Sequence, residues 1–214
     1  MRGSSWPARV LPLGGILLIA GTQSLAAQRI SIAPNIGVYV PTTELVKAAN
    51  GEEFKQEISL TVGGRLGVQL TQRFGLEFTG AYAPSDLKIT QSGFGDQNQD
   101  ANVFTGSGRV SYQLVPLTSP IAFMITAGVG VVNRSGDFYA GMQDKTDIGG
   151  TAGASARFRL GKLLRIQLSA EDYLYKPKGD IPGFTASDEK KTQNDIHLSL
   201  GLGIPLLGLG QMGQ

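Results

Sequence analysis

The sequence predicts an all-β protein whose strands form one closed, eight-stranded antiparallel barrel. Apolar and polar residues alternate along eight segments, as expected when successive side chains of a strand point to opposite faces. Many of these segments reach ten residues or more, whereas strands usually have about five or six. The connections alternate between long and short along the chain, so the short turns should share one end of the barrel.

The first three strands show the alternation most clearly. Strand one is predicted at about Arg29–Val40, and strands two and three form a hairpin within Glu57–Ala83 that turns at Thr71–Arg73. The apolar face of the hairpin consists of Ile58, Leu60, Val62, Leu66, Val68, Leu70, Phe74, Leu76, Phe78 and Tyr82. The opposite face carries polar side chains, among them Arg65 and Glu77.

The other five strands follow the same rule with one exception. They are predicted at about Asn102–Leu114, Ile121–Val132, Asp147–Leu160, Leu164–Tyr175 and Asp195–Ile204. The exception is Ile121–Val132, which is apolar on both faces and carries its bulkier residues on one of them.

Four connections are predicted to be long, solvated loops and three to be short turns. The long ones are Pro41–Gln56, Pro84–Ala101, Asn133–Thr146 and Lys176–Asn194. They are rich in Gly, Asn, Gln, Asp and Lys, as solvated loops are. The short ones are Thr71–Arg73, Val115–Pro120 and Gly161–Leu163.

The N-terminal residues are predicted to be a secretory signal peptide rather than part of the fold. Arg2 and Arg9 precede or begin an apolar run, Val10–Ala20, which is too short to span a membrane. Small residues at Ser24 and Ala26 favour cleavage before Ala27, and a cut one residue later fits nearly as well. The predicted organisation is residues 1–26 as signal, 27–206 as barrel and 207–214 as a C-terminal tail.

Composition excludes several classes of partner. Removal of residues 1–26 takes away two arginines and no acid, which leaves 17 basic and 17 acidic residues. A neutral chain lacks the basic surface that nucleic-acid binding needs, so no nucleic-acid partner is expected. The chain contains no Cys, so it has no disulfide framework and no Cys-ligated metal site, and we expect no cofactor.

Alternation alone does not say which face points outward, because a soluble barrel such as a lipocalin turns its apolar face inward. Three features favour a barrel that crosses a membrane: arginines in the middle of polar faces, the long–short alternation of connections, and aromatic residues near strand ends, which mark membrane interfaces. The aromatic residues are Tyr39, Tyr82, Tyr173 and Tyr175 toward the long loops and Phe74, Tyr112 and Phe158 toward the short turns. A strand tilted by about 45° crosses a bilayer in about nine to eleven residues.

With these features, the chain resembles the eight-stranded outer-membrane β-barrels of the kind of the OmpA transmembrane domain, OmpX and the opacity-like proteins. The resemblance rests on architecture and covers nearly all of residues 27–206. Ser199–Leu206 also resembles the last-strand signal that the barrel assembly machinery reads, although the usual terminal aromatic residue is missing. The resemblance implies short periplasmic turns, long extracellular loops, and a place in the outer membrane of a Gram-negative-type bacterium among its lipid and lipopolysaccharide.

A network of charged residues is predicted inside the barrel. Its members lie on the polar faces: Arg65, Glu77, Arg109, Arg157, Glu171 and His197. A charge in a narrow lumen is costly unless it is paired, so these residues are interpreted as an ion-paired plug. The alternative is a narrow, porin-like pore that these residues line, although an eight-stranded barrel has an interior that side chains alone can fill.

The long loops contain apolar or aromatic residues that offer candidate contacts with an unknown surface ligand. They are Phe54, Phe94, Phe138, Tyr139 and Phe184. Binding residues concentrate on loops that a rigid scaffold holds. These side chains either contact a partner or fold back over the barrel mouth, and the sequence leaves both interpretations open.

Neither catalysis nor metal binding is expected. His197 and Ser199 resemble the Ser–His pair of lipid A deacylases, but both should face the lumen, and the orienting acid of such a triad is missing downstream. Asp96–Asp100 has the spacing of the start of a calcium loop, but Ala101 replaces the required Gly. The leading hypothesis is a non-enzymatic structural or adhesive protein, with a narrow pore and a lipid A-modifying enzyme as alternatives.

Overall fold

The computed structural model describes residues 29–42, 46–47, 53–91, 95–115, 119–137, 139–140, 144–161, 164–177 and 192–206. The predicted signal peptide and the predicted tail therefore lie outside the described residues. No helix in the described part of the chain is long and apolar enough to cross a membrane.

The described residues form twelve strands in two sheets. In chain order they are β1 (Arg29–Pro41), β2 (Val46–Lys47), β3 (Glu53–Gln56), β4 (Ser59–Gln69), β5 (Phe74–Ala83), β6 (Asp86–Gln91), β7 (Gly95–Asp100), β8 (Asn102–Gln113), β9 (Ile121–Ser135), β10 (Thr146–Leu160), β11 (Leu164–Tyr175) and β12 (Gln193–Leu206). Eight of them close into an antiparallel barrel in the order β1-β12-β11-β10-β9-β8-β5-β4. The predicted eight-stranded barrel is confirmed.

Closure occurs between the first and last strands. β1 pairs with β12, where Ile30 lies opposite Leu206, and on its other side with β4, where Ile30 lies opposite Val68. Every barrel strand thus has two hydrogen-bonded neighbours, and the wall has no open edge. This matters in hydrocarbon, where an unpaired backbone group costs several kcal/mol.

The apolar faces point outward and the polar faces point into the lumen. Ile36 and Leu60 on the outer wall are 64% and 74% exposed, whereas Arg109 on an inner face is 2% exposed. The doubly apolar strand β9 keeps the rule, with Phe123 outside and Met124 buried inside. The assignment of the apolar face to the outside is therefore confirmed.

The expected aromatic girdle is partly wrong. Tyr39, Tyr173 and Tyr175 are at most 4% exposed, because each occupies an inward position of its strand and fills the lumen. They form an inner apolar cluster with Ala83, Val103 and Val132. Outward aromatic residues remain at both ends: Tyr82 and Phe104 near the long connections, Phe74 and Tyr112 near the short turns, the latter pair with ring centroids 5.1 Å apart.

Two of the predicted loops contain a second sheet. β2, β3, β6 and β7 form an antiparallel sheet in that order, so the connection between β1 and β4 is hydrogen-bonded to the connection between β5 and β8. We call it the loop sheet. Asp96–Asp100 belongs to its strand β7 and is therefore extended rather than a loop tip, although its last two residues, Gln99 and Asp100, are exposed. The sequence does not reveal how this sheet is assembled, because its two local hairpins are joined by a pairing between residues far apart in the chain, such as Phe54 and Ile89.

Candidate functional site

Four charged side chains meet in the lumen, one each from β4, β5, β8 and β11. They are Arg65, Glu77, Arg109 and Glu171, and we call them the central ion cluster. Each occupies an inward position of its strand, and Glu77 lies directly opposite Arg109 in the ladder between β5 and β8. All four residues are at most 8% exposed.

The central ion cluster is continuous. Nη2 of Arg109 donates to Oε1 of Glu77 at 3.0 Å and to Oε1 of Glu171 at 2.8 Å. Arg65 also pairs with Glu171, and its Nε lies 3.5 Å from Oε1 of Glu77. Nη1 of Arg65 donates to Oγ of Ser169 at 2.6 Å. Two positive and two negative groups thus compensate one another inside the barrel.

The other two residues of the predicted network occupy different places. Arg157 donates through Nη2 to Oε1 of Gln167 at 3.1 Å and lies closer to the short-turn end. His197 packs between the rings of Tyr39 and Tyr173, with centroid distances of 5.1 and 5.3 Å. The structure therefore brings together four of the six predicted residues.

A second buried polar group lies nearer the long-connection end, and the sequence did not reveal it. Nη1 of Arg134 donates to Oδ2 of Asp147 at 2.5 Å, and Nη2 donates to the hydroxyl of Tyr175 at 2.6 Å. The hydroxyls of Tyr175 and Tyr39 both donate to Oδ2 of Asp195, at 2.5 and 2.8 Å. We call Tyr39, Arg134, Asp147, Tyr175 and Asp195 the mouth cluster.

The mouth cluster is not among the predicted sites because the predicted end of strand five, Val132, lies before the observed end of β9, Ser135. The sequence predicts Arg134 in the long loop Asn133–Thr146, whereas β9 continues to Ser135 and directs Arg134 into the lumen. Continued alternation past Val132 was the signal that could have revealed it. The guanidinium also lies 5.2 Å from the centre of the Tyr175 ring, a distance at which a cation and an aromatic face attract.

Tyr139, predicted as an exposed loop contact, is buried. It is 1% exposed, and its backbone N–H donates to the carbonyl of Gly136 at 3.2 Å. Burial raises the pKa of the Tyr139 hydroxyl to about 12, although the nearby Arg134 acts in the opposite direction. For this residue the structure favours folding back over the mouth. Phe94, Phe138 and Phe184, and the side chain of Phe54, lie outside the described residues.

The geometry offers no support for the catalytic interpretation of His197 and Ser199. Their positions on β12 direct both into the lumen, where Ser199 lies opposite Gly37 on one side and Ser169 on the other. A lumenal Ser does not reach lipid acyl chains outside the wall. Among the described residues, no group of three His, Cys, Asp or Glu could hold a metal ion.

Comparison with known proteins gives a consistent result. The sequence profile of the family described as outer membrane protein beta-barrel domain matches residues 15–206. No curated protein matches the chain significantly.

Solved structures with the same fold share little sequence with this chain. The outer membrane protein OprG from Pseudomonas aeruginosa is 14% identical with a TM-score of 0.64, and the match covers 85% of this chain and 97% of OprG. Outer membrane protein W of E. coli is 15% identical with a TM-score of 0.53, over 84% and 98%. Outer membrane protein AlkL, solved by solid-state NMR in lipid bilayers, is 12% identical with a TM-score of 0.57, over all of both chains. At identities this low, the similarity shows a shared fold and nothing more.

Proposed function

Because the chain belongs to the outer membrane protein β-barrel domain family, it is a protein of the outer membrane of a Gram-negative-type bacterium, and we propose that it acts there as a closed, non-enzymatic anchor that displays its loop sheet at the cell surface. The single observation that carries this proposal is the filled lumen. The central ion cluster is buried, and the side chain of Arg109 has no exposed surface at all.

Two polar barriers in series support the closed state. The mouth cluster lies between the central ion cluster and the long connections, and it joins β1, β9, β10, β11 and β12 across the lumen. An eight-stranded barrel has just enough room for such side chains. A solute would have to break charge-assisted hydrogen bonds at both levels, and these are the strongest hydrogen bonds in proteins.

The loop sheet supports the display role. Hydrogen bonds between β3 and β6 hold two separate connections in one arrangement, which gives the extracellular side a defined surface. Sites that bind partners are often loops held by a rigid scaffold. A structural or adhesive role fits this arrangement, with a partner that the geometry does not identify.

Conductance tests the closed state. The folded protein, verified by different migration of boiled and unboiled samples on SDS gels, is reconstituted in planar bilayers. The expected result is an absence of single-channel steps. Reproducible steps from the unaltered protein would replace this proposal with the narrow pore, and altered lipid A masses in an overexpressing strain would replace it with the enzyme.

Display can be tested with single cysteines, since the chain has none of its own. Gln99→Cys places a thiol on the exposed face of β7, and Gln72→Cys places one in the exposed turn between β4 and β5. A membrane-impermeant maleimide should label Gln99→Cys on intact cells and should label Gln72→Cys only after lysis. The reverse pattern would show that the loop sheet faces the periplasm and would end the display proposal.

A further inference from the structure

One charged residue lies on the outer wall of the barrel. Asp172 occupies an outward position of β11, opposite Ala152 of β10 and Ile196 of β12. In the part of the chain that the structure describes, it is the only charged residue at an outward position of the eight barrel strands. Ionisable residues on the membrane side of a protein are rare because they are costly there, and they commonly mark a functional site.

Asp172 lies at the level of the outer leaflet. It is eight residues beyond Leu164, with which β11 begins at the short-turn end. With a rise of about 3.3 Å per residue and a tilt of about 40°, it stands about 20 Å above the periplasmic rim. The apolar band of a membrane barrel is about 25 Å tall. Asp172 is therefore near the upper border of this band, where lipid chains join their headgroups.

Two oxygen atoms at this place lack hydrogen-bond donors. Asn194 of β12 lies opposite Leu174, one diagonal step from Asp172, and its amide interacts with the Asp172 carboxylate. Oδ1 of Asp172 and Oδ1 of Asn194 have no hydrogen-bond partner within the described residues. A polar atom that is away from water and unpaired costs free energy. Both oxygens are therefore suited to accept from the N–H or O–H groups of a ligand.

The wall beside and below Asp172 is recessed. Four small residues share its outward face, and we call them the alanine depression: Ala152, Ala154 and Ala156 of β10 and Ala170 of β11. Ala170 is the next outward residue below Asp172 on β11. Larger outward residues flank the alanine depression on the neighbouring strands: Phe123 and Ile125 of β9, and Leu198 and Leu200 of β12.

A groove of about 870 Å³ runs through the alanine depression. Two adjacent rows of outward, apolar side chains border it, and its floor is the row between them, which includes Ser155, Ser169 and Ser199. The volume lies within the usual range of small-molecule sites, about 300–1,000 Å³. An apolar groove of this size suits an acyl chain, and it passes directly below the two unpaired oxygens.

We propose that Asp172, Asn194 and the alanine depression form a binding site for one lipid A molecule of the outer leaflet. Lipid A carries amide N–H and hydroxyl groups close to the points where its acyl chains join the sugar, which is the depth of the two unpaired oxygens. One of its chains occupies the groove below them. Phosphatidylcholine has no N–H or O–H donor, and the ammonium group of phosphatidylethanolamine lies beyond the phosphate, farther from the chains. The site does not depend on whether the lumen conducts.

The experiment titrates the folded mature protein, isolated from outer membranes and freed of lipid in a non-ionic detergent, with purified lipid A in EDTA. Native mass spectrometry measures the bound fraction. Asp172→Leu removes the carboxylate, and Ala170→Leu fills the alanine depression. As matched controls, Asn133→Leu removes an outward amide of β9 that donates to Thr146 at the same end, and Gly64→Leu adds a side chain where a Cβ meets nothing within 4 Å.

Heat-modifiable migration verifies the fold of each variant, and Asn194→Leu replaces Asp172→Leu if the latter does not fold. The expected result is saturable binding whose dissociation constant rises at least about tenfold in Asp172→Leu and Ala170→Leu, equivalent to about 1.4 kcal/mol, and changes less than about twofold in the controls. Phosphatidylcholine and phosphatidylethanolamine should show no binding that depends on Asp172.

Equal dissociation constants in all variants would overturn the site. Binding that requires added Mg²⁺ would show a cation bridge to the lipid phosphates in place of direct hydrogen bonds. Binding of phosphatidylethanolamine that depends on Asp172 would assign the site to a different lipid. Either of these results also overturns the proposal.

Discussion

Gly130 on β9 faces the ring of Tyr173 on β11, and a Cβ atom at Gly130 would lie only 2.8 Å from Cδ1 of that ring. The two residues are not on neighbouring strands, so the ring reaches across β10 to fill space that the glycine leaves. The Tyr173 ring also packs against His197. The lumen is thus packed by large side chains set against inward glycines.

Replacement of Gly130 by Ala should destabilise the barrel by about 1–3 kcal/mol, the usual cost of overpacking a filled interior. Gly150→Ala is the matched control, because a Cβ there meets nothing within 4 Å and the change should be neutral or slightly stabilising. Urea unfolding in lipid vesicles, followed by gel migration, gives both values. Equal effects of the two changes would mean that the ring moves aside freely. Tyr173→Leu should remove most of the Gly130→Ala penalty.

Arg109→Leu should destabilise the folded protein by about 3–5 kcal/mol, because it leaves two buried carboxylates to share Arg65 alone. Arg157→Leu should cost less than about 1.5 kcal/mol, since Arg157 bonds to a neutral amide and lies beside other arginines. The temperature at which the folded band disappears from unboiled samples measures the difference. If the two variants lose the same stability, the central ion cluster does not hold the barrel as the geometry suggests.

We expect ions to pass through the barrel only when both the central ion cluster and the mouth cluster are removed. Replacement of all four residues of the central ion cluster by serine should produce no single-channel conductance steps in planar bilayers, because the mouth cluster still closes the lumen. Addition of Arg134→Ser and Asp195→Ser should produce small conductance steps, provided that gel migration shows a folded barrel. Conductance after removal of the central ion cluster alone would show that the mouth cluster admits ions.

The orientation of side chains can be read from tryptophan fluorescence. The sole native Trp, Trp6, falls in the predicted signal peptide, so a single introduced Trp reports its own site in the mature chain. Phe123→Trp, on the outer wall at a position 49% exposed, should be quenched strongly by lipids with brominated acyl chains. Tyr173→Trp, inside the lumen at a position 2% exposed, should be quenched little. Strong quenching at both positions would mean that lipid enters the barrel.

The period of two was sufficient to predict the strands and their faces. Side chains alternate across a strand wherever it runs, so Leu60 outside and Arg65 inside could be assigned without knowledge of any partner. The same rule placed Tyr39 and Tyr173 inside. The prediction that Tyr39 and Tyr173 belong to an aromatic girdle rests on their residue type. Their inward positions in the strands instead place both side chains in the lumen.

The ion-pair partner of each charged residue could not be predicted from the sequence. The pairing depends on the register between neighbouring strands around the closed barrel. Arg65 and Glu171 are 106 residues apart and belong to strands separated by two others around the barrel. Whether their side chains meet depends on the relative positions of four strands along the barrel axis, and no local sequence pattern predicts these positions. The pairing of β3 with β6 in the loop sheet cannot be predicted for the same reason, since these two strands come from different connections.

The pairing of Ile30 with Leu206 brings the two ends of the barrel sequence together at one rim. A short link from β12 to β1, with new ends opened between β5 and β8, would leave every ladder of the wall intact. The chain could therefore begin at a different strand while the order of the strands around the barrel stays the same. A circularly permuted chain should form the same barrel, although the assembly signal near Ser199 would then lie in its interior rather than at its end.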